Sequence, residues 1–199
     1  PTYPNPNGHT GACAALTTRS TGAFGVMVNK RIAAGNLFLG TFDLQQALTN
    51  TLHATRFGVP FSMKPVSFKG WYNYQPGETY QDAFGKTLEG KTDHGAIYAV
   101  LYRNHDDAGN EVVLFGDNVK TSQQVVAIAD LGDIGQTNGW QPFEAQFLYR
   151  QNIDEETLRN MGYSLAIVFS SSNEGDKFEG AVGSTLLIDD VSIISQKQE

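Results

Sequence analysis

Two tryptophans, Trp71 and Trp140, stand in runs whose same alternate face also carries hydrogen-bonding side chains. Lys69-Gly-Trp-Tyr-Asn-Tyr-Gln-Pro-Gly-Glu78 gathers large aromatics, amides and charges on one short segment. In an extended chain Lys69, Trp71, Asn73 and Gln75 point to one side, and Phe68, Gly70, Tyr72 and Tyr74 to the other. In the second run Trp140, Glu144, Gln146 and Arg150 alternate with Phe143, Ala145, Phe147 and Tyr149. A sugar ring offers apolar C–H faces that stack on flat aromatics, and hydroxyls that need amides, carboxylates or guanidinium groups. Trp71, Asn73, Trp140, Glu144, Gln146 and Arg150 are therefore the candidate ligand-binding residues. The competing reading has both tryptophans capping the edges of the core. Tyr72 and Tyr74 share a face with Phe68 and are expected in the core, their hydroxyls reaching a polar edge.

Other chemistry finds less support. Glycoside hydrolysis needs two acids about 5–9 Å apart across a cleft. Glu78, Asp82 and Glu144 are the acids near the aromatic runs, and nothing in the sequence places two of them together, so no catalytic residue is assigned. His9, His53, His94 and His105 are not paired at zinc-ligand spacing. There is no Gly-x-Ser-x-Gly elbow, dinucleotide fingerprint or phosphate loop. Asp106, Asp107 and Asn110 lack the spacing and closing Glu of a calcium loop and read as a solvated hairpin turn. Asp189-Asp190 interrupts an apolar strand, so one acid is expected to face inward and to need N–H donors, an arginine or a metal. Calcium suits hard oxygen ligands, but no set of six is present; bonding to a loop is the expected use, and no metal or cofactor is expected.

The composition narrows the class. The chain has 199 residues, enough for one domain with a sizeable core. Charged residues are 18%, below the usual ~25%, and 21 glycines with 20 Phe and Tyr favour many strands joined by tight turns. A net charge of −7 without a basic cluster argues against nucleic acid or an anionic membrane as partner. No apolar run approaches the ~20 residues of a membrane-spanning helix. The single cysteine, Cys13, permits no internal disulfide and reads as a small buried hydrophobe. The chain opens on Pro1, so a cut from something longer is expected; no signal peptide is visible.

These side chains must be carried by strands. Alternation and turn signals predict strands near 11–18, 23–29, 36–42, 56–62, 64–75, 95–104, 111–115, 123–131, 140–151, 163–171 and 184–194, the spacing of a sandwich or barrel. Strand 163–170 is apolar on both sides, as a covered central strand is. Short helices are predicted from Asp43 to about Asn50 and from Asp154 to Gly162, each opened by an Asp cap. No repeat or linker divides residues 1–199, which read as a single β-sandwich domain.

Lys69-Gly-Trp-Tyr-Asn-Tyr-Gln-Pro-Gly-Glu78 resembles the Tyr-Lys-Tyr-x-Pro-Gly segment of the putative carbohydrate metabolism domain family, secreted or surface proteins of gut-dwelling Gram-negative bacteria. Similar to the same family are Asn7-Gly-His-Thr-Gly-Ala-Cys-Ala-Ala-Leu-Thr-Thr18 and Ala96-Ile-Tyr-Ala-Val-Leu-Tyr102 with its acidic hairpin. The ending matches too: Ser170-Ser-Ser-Asn-Glu-Gly-Asp176, Phe178, Gly180 and Gly183-Ser-Thr-Leu-Leu-Ile-Asp-Asp-Val191. Trp71 and Asn73 stand where the family has Tyr and Lys. The resemblance implies an all-β jelly-roll sandwich like that of carbohydrate-binding modules, and an extracellular, cell-surface or periplasmic location. It also implies a further N-terminal piece, making this the C-terminal part of a longer exported protein.

Three functions follow as expectations. The first is a non-catalytic glycan-binding or glycan-associated surface module whose partner is a glycan or polysaccharide. The second is a glycoside hydrolase on the same fold. The third is a structural or protein-interaction module of adhesin type, marked by an exposed apolar edge or patch.

Overall fold

A computed structural model describes residues 1–196. Among these, two antiparallel sheets are built from β1 (Thr2–Asn5), β2 (Cys13–Thr17), β3 (Asn36–Phe38), β4 (Pro65–Gln75), β5 (Gly95–Arg103), β6 (Val125–Ile134), β7 (Gln141–Gln146), β8 (Leu148–Tyr149), β9 (Tyr163–Ser170) and β10 (Thr185–Ser195). Sheet I has the order β1-β2-β10-β4-β7 and sheet II the order β8-β6-β5-β9-β3, with the two-residue strand Val59–Pro60 also paired to β9. Setting aside β1, β8 and Val59–Pro60, eight strands remain in nested antiparallel pairs: first with eighth, second with seventh, third with sixth, fourth with fifth. That nesting is the jelly roll, and the all-β expectation is met.

Alternation explains why the sheets stack. From β4, Phe68 and Tyr74 point inward and are fully buried; β10 adds Leu186 and Ile188, β2 adds Leu16, and β7 adds Phe143 and Ala145. Sheet II answers with Ile97, Ala99, Leu101, Ala127, Ala129, Leu165, Ile167 and Phe169. Phe68 meets Phe143 edge-on at 5.1 Å and Phe169 of the facing sheet at 5.8 Å. Truncating such a ring to alanine costs about 3–5 kcal/mol.

Sheet II is covered on its other side as well. Tyr98, Val100, Tyr102, Ile128, Ala166 and Val168 form a second apolar cluster with Phe57, Leu114 and Val119 from the segments that wrap over it. This is why all of Tyr163–Ser170 is buried and why its sequence is apolar on both sides. The outer face of sheet I has no such cover over β4 and β7: Lys69, Glu144 and Gln146 are exposed, and Trp71 and Asn73 half-buried.

Three connecting helices are short: α1 (Gly22–Met27), α2 (Leu44–Thr49) and α3 (Glu155–Arg159). Asp43 caps α2 through the N–H groups of Gln45 and Gln46, and Asp154 caps α3 through that of Thr157, as expected. No helix among the described residues is long and apolar enough to cross a membrane.

The strand expected at 23–29 is instead α1, entered through Gly22 in the left-handed region. The strand expected at 111–115 is reduced to isolated bridges at Glu111 and Leu114. The run expected as one strand at 140–151 is two, β7 in sheet I and β8 in sheet II, with buried Phe147 at the crossing. Neither Asp189 nor Asp190 faces inward. The β4–β10 register shifts between Asp189 and Ser192, Asp190 adopts φ 50°, and both carboxylates turn to a loop.

Candidate functional site

The site grows from the outer face of sheet I. Trp71 lies in register with Asp189 of β10 on one side and Pro142 of β7 on the other. Lys69 is opposite Glu144, and Ser67 opposite Gln146. Because Gln141 pairs with Tyr72, the register brings Trp140 beside Asn73 and diagonal to Trp71.

Thr137 fixes the turn that delivers Trp140. Its hydroxyl donates to Asn73 Oδ1 at 2.9 Å and accepts from the Tyr74 N–H at 2.9 Å, while its carbonyl accepts from Gln75 Nε2 at 2.7 Å. Asn73 Oδ1 is therefore used internally, and its amide Nδ2 is the atom left for a ligand. Each indole N–H of Trp71 and Trp140 is likewise without a protein acceptor among the described residues.

The loop between β1 and β2 closes over this face. His9 stacks on Trp71 with centroids 3.8 Å apart and planes at 12°, and meets Trp140 edge-to-face at 6.1 Å and 66°. Three rings thus form one cluster, with His9 joining the two tryptophans. The loop is pinned by the bulge acids. His9 Nδ1 is 2.9 Å from Asp190 Oδ2, Thr10 Oγ1 donates to the same oxygen at 2.9 Å, and the Thr10 N–H donates to Asp189 Oδ2 at 2.9 Å. The bonds from His9 and then Thr10 hold the Asp190 carboxyl below its ordinary value. The bonding of these acids to a loop matches expectation; the identity of the loop, and His9 within it, has no local sequence signal.

The structure thus brings Trp71, Asn73, Trp140, Glu144 and Gln146 onto one face, where Gln146 Nε2 also reaches Glu144 Oε1 at 3.4 Å. It does not bring Arg150 there. Arg150 follows β8 on sheet II, and its guanidinium donates to the Lys120 carbonyl at 3.1 Å. Of the acids considered for hydrolysis, Asp82 is engaged by the N–H groups of Phe84 and Lys86, both at 2.9 Å. Asp106 closes its own hairpin through Ala108 and Asn110, as a solvated turn does.

Two polar features lie elsewhere. Asp93 is fully buried, and its Oδ2 accepts from Ser172 Oγ, Ser184 Oγ and the Ala181 N–H at 2.6, 2.7 and 2.8 Å. This network ties the segments flanking β5, β9 and β10 and is structural. A groove of about 360 Å3 beside α3 is lined by Arg103, His105, Asp154, Glu156 and Thr157. Two of its charged groups are committed internally: Arg103 to Asp107 at 2.9 Å and Asp154 to the Thr157 N–H at 2.7 Å. Among the described residues no group of three His, Cys, Asp or Glu side chains is placed to hold a metal ion.

Comparison with known proteins bears on this face. The family model described as "Putative carbohydrate metabolism domain" matches residues 1–194. A crystal structure described as a putative glycoside hydrolase from Bacteroides thetaiotaomicron is 44% identical, with a TM-score of 0.94; the match covers 100% of this chain and 57% of that one. A second, described as a putative glycoside hydrolase from Bacteroides vulgatus, is 40% identical with a TM-score of 0.91, covering 98% of this chain and 78% of that one. No curated protein matches the sequence.

Proposed function

The chain belongs to the putative carbohydrate metabolism domain family, and from that premise we propose that it is a non-catalytic glycan-binding module of the cell surface or periplasm. The observation that carries this reading is the Trp71–His9–Trp140 ring cluster on the outer face of sheet I. Flat apolar rings beside unpaired N–H donors match the two surfaces of a sugar, its C–H faces and its hydroxyls. Trp140, with Asn73 beside it and Glu144 and Gln146 further along β7, supplies the contact surface; Trp71 supports it from beneath His9. Arg150 would contribute only to a ligand that extends around the edge to sheet II.

The test is affinity electrophoresis through gels containing a β-glucan, a xylan, a galactan or a mannan. At least one should retard the wild type, and Trp140→Ala should migrate as in an empty gel. No retardation in any of the four removes this reading.

A hydrolase reading has one observation in its favour, the descriptions of the two Bacteroides relatives. This chain spans little more than half of the first of them, so an activity of the whole would reside here or in the remainder. Release of reducing ends from the same polysaccharides by the purified chain would favour it.

A further inference from the structure

We propose that His9 is a ligand-contacting residue of this site, accepting a hydroxyl of a neutral glycan at Nε2, and that Asp190 is its positioning residue. The proposal rests on the glycan-binding reading above and adds the residue and ligand class.

The chemistry follows from which ring nitrogen is engaged. Nδ1 faces a carboxylate oxygen at 2.9 Å, and a carboxylate can only accept, so Nδ1 carries the proton. In the neutral ring Nε2 is then an acceptor, and no described residue donates to it. The ring is held in plane by Trp71 at 3.8 Å and borders Trp140 at 6.1 Å, while its side chain keeps 31% of its surface open. An acceptor without a protein donor, on a partly open ring within an aromatic cluster, is what a sugar hydroxyl requires once its C–H face lies on a ring.

The loop is built as a wall rather than left as a tether. Thr10 binds both bulge acids, and the Gly8 N–H donates to the Gly11 carbonyl at 2.8 Å. His9 also occupies one face of Trp71, so a sugar reaching the cluster meets His9 and Trp140 first. The charges nearby select the ligand class. Asp189, Asp190 and Glu144 share this face with Lys69 as the cation within the strand register, and the whole chain is at −7. A polyanionic glycan is repelled and a neutral one is not.

The experiment measures dissociation constants from gel retardation for the wild type, His9→Ala, His9→Gln, Asp190→Asn and Trp140→Ala. The probe is whichever neutral polysaccharide retards the wild type, with polygalacturonate as the acidic comparison. His9→Ala should lose about tenfold in affinity, and His9→Gln, which restores an acceptor of similar reach, should recover most of it. Asp190→Asn keeps a residue type that tolerates the left-handed backbone at this position. It should weaken binding less than His9→Ala and shift the 15N resonances of the His9 ring, because the tautomer is no longer fixed. Unchanged or tighter binding by His9→Ala, with Trp140→Ala still abolishing it, overturns this proposal and leaves the glycan reading standing. Stronger retardation by polygalacturonate than by any neutral polymer overturns the ligand class. Failure of all five polymers to retard the wild type removes both.

Discussion

His9 lies flat on Trp71, with ring centroids 3.8 Å apart and planes 12° from parallel. The contact joins a loop near the N-terminus to β4, which lies between β10 and the edge strand β7 of sheet I, and the Asp189–Asp190 bulge in β10 makes it possible. Without the extra residue of the bulge, β10 would continue its alternation past Asp189, and Asp190 would not be turned toward Thr10 and His9.

Removing the imidazole should therefore loosen the loop and leave the sandwich intact. A stacked aromatic pair contributes about 0.5–1.5 kcal/mol beyond its buried area. His9→Ala should lower the melting temperature by roughly 2–4 °C in a chain of this size. Calorimetry checks the shift, and near-ultraviolet circular dichroism should register the changed surroundings of Trp71. An unchanged indole signal would count against a stack persisting in solution.

Loop docking should also fail in acid. Asp190 is held below its ordinary value by its bonds to His9 and Thr10. A carboxylate whose folded value is lowered contributes stability that is fully present above the unfolded value, about 3.9, and is lost as pH falls through the folded value. The Thr10 amide and the Trp71 indole N–H should therefore share a transition below about pH 4. In Asp190→Asn that joint transition should disappear.

How far the sequence discloses this arrangement depends on the range over which each signal acts. Alternation in 64–75 places Phe68 and Tyr74 inside and Trp71 and Asn73 outside, because a strand with one wet face must alternate. The two-sided apolar pattern of Tyr163–Ser170 reports burial on both faces equally directly. The pattern at 140–151 misleads because Phe147 is buried at the crossing between sheets, so the alternation runs on while the strand changes partners. The helix at Gly22–Met27 is missed because alternating small and apolar residues with two glycines carry no helical period. His9 is legible only as a histidine without a metal partner, since its carboxylate stands 181 residues away. Asp93 is silent for the same reason: Ser172, Ala181 and Ser184 are brought to it by the jelly-roll crossings.

Gly8 gives an independent handle on the loop. A Cβ there would lie 2.6 Å from Asp189 Oδ2 and 2.9 Å from the Gly11 carbonyl. The second contact is backbone, so the loop has to shift. Gly8→Ala should leave the fold intact, cost about 1 kcal/mol, and speed hydrogen exchange at the Thr10 amide, which donates to Asp189. Exchange as slow as in the wild type would mean that the loop accommodates the methyl without leaving the acids.

The buried carboxylate of Asp93 should be worth far more than either loop contact. Its Oδ2 collects three donors, and its Oδ1 accepts from the His94 N–H at 2.9 Å. Asp93→Ala leaves these donors facing a cavity. A buried orphan costs about 1–3 kcal/mol each; some relief comes from Ser172, whose hydroxyl can turn to Thr18 Oγ1 at 2.6 Å, whereas Ser184 Oγ only accepts from the Gly77 N–H, a bond that gives its own proton no new acceptor. A net loss of roughly 3 kcal/mol or more is expected, seen as a lower urea midpoint with an unchanged slope. Asp93→Asn should fall between the two. Its amide can keep an oxygen toward the three donors only by turning its NH2 against the His94 N–H. A midpoint for Asp93→Asn equal to that of the wild type would show that the His94 contact carries no weight and that the triple-donor oxygen alone holds these segments together.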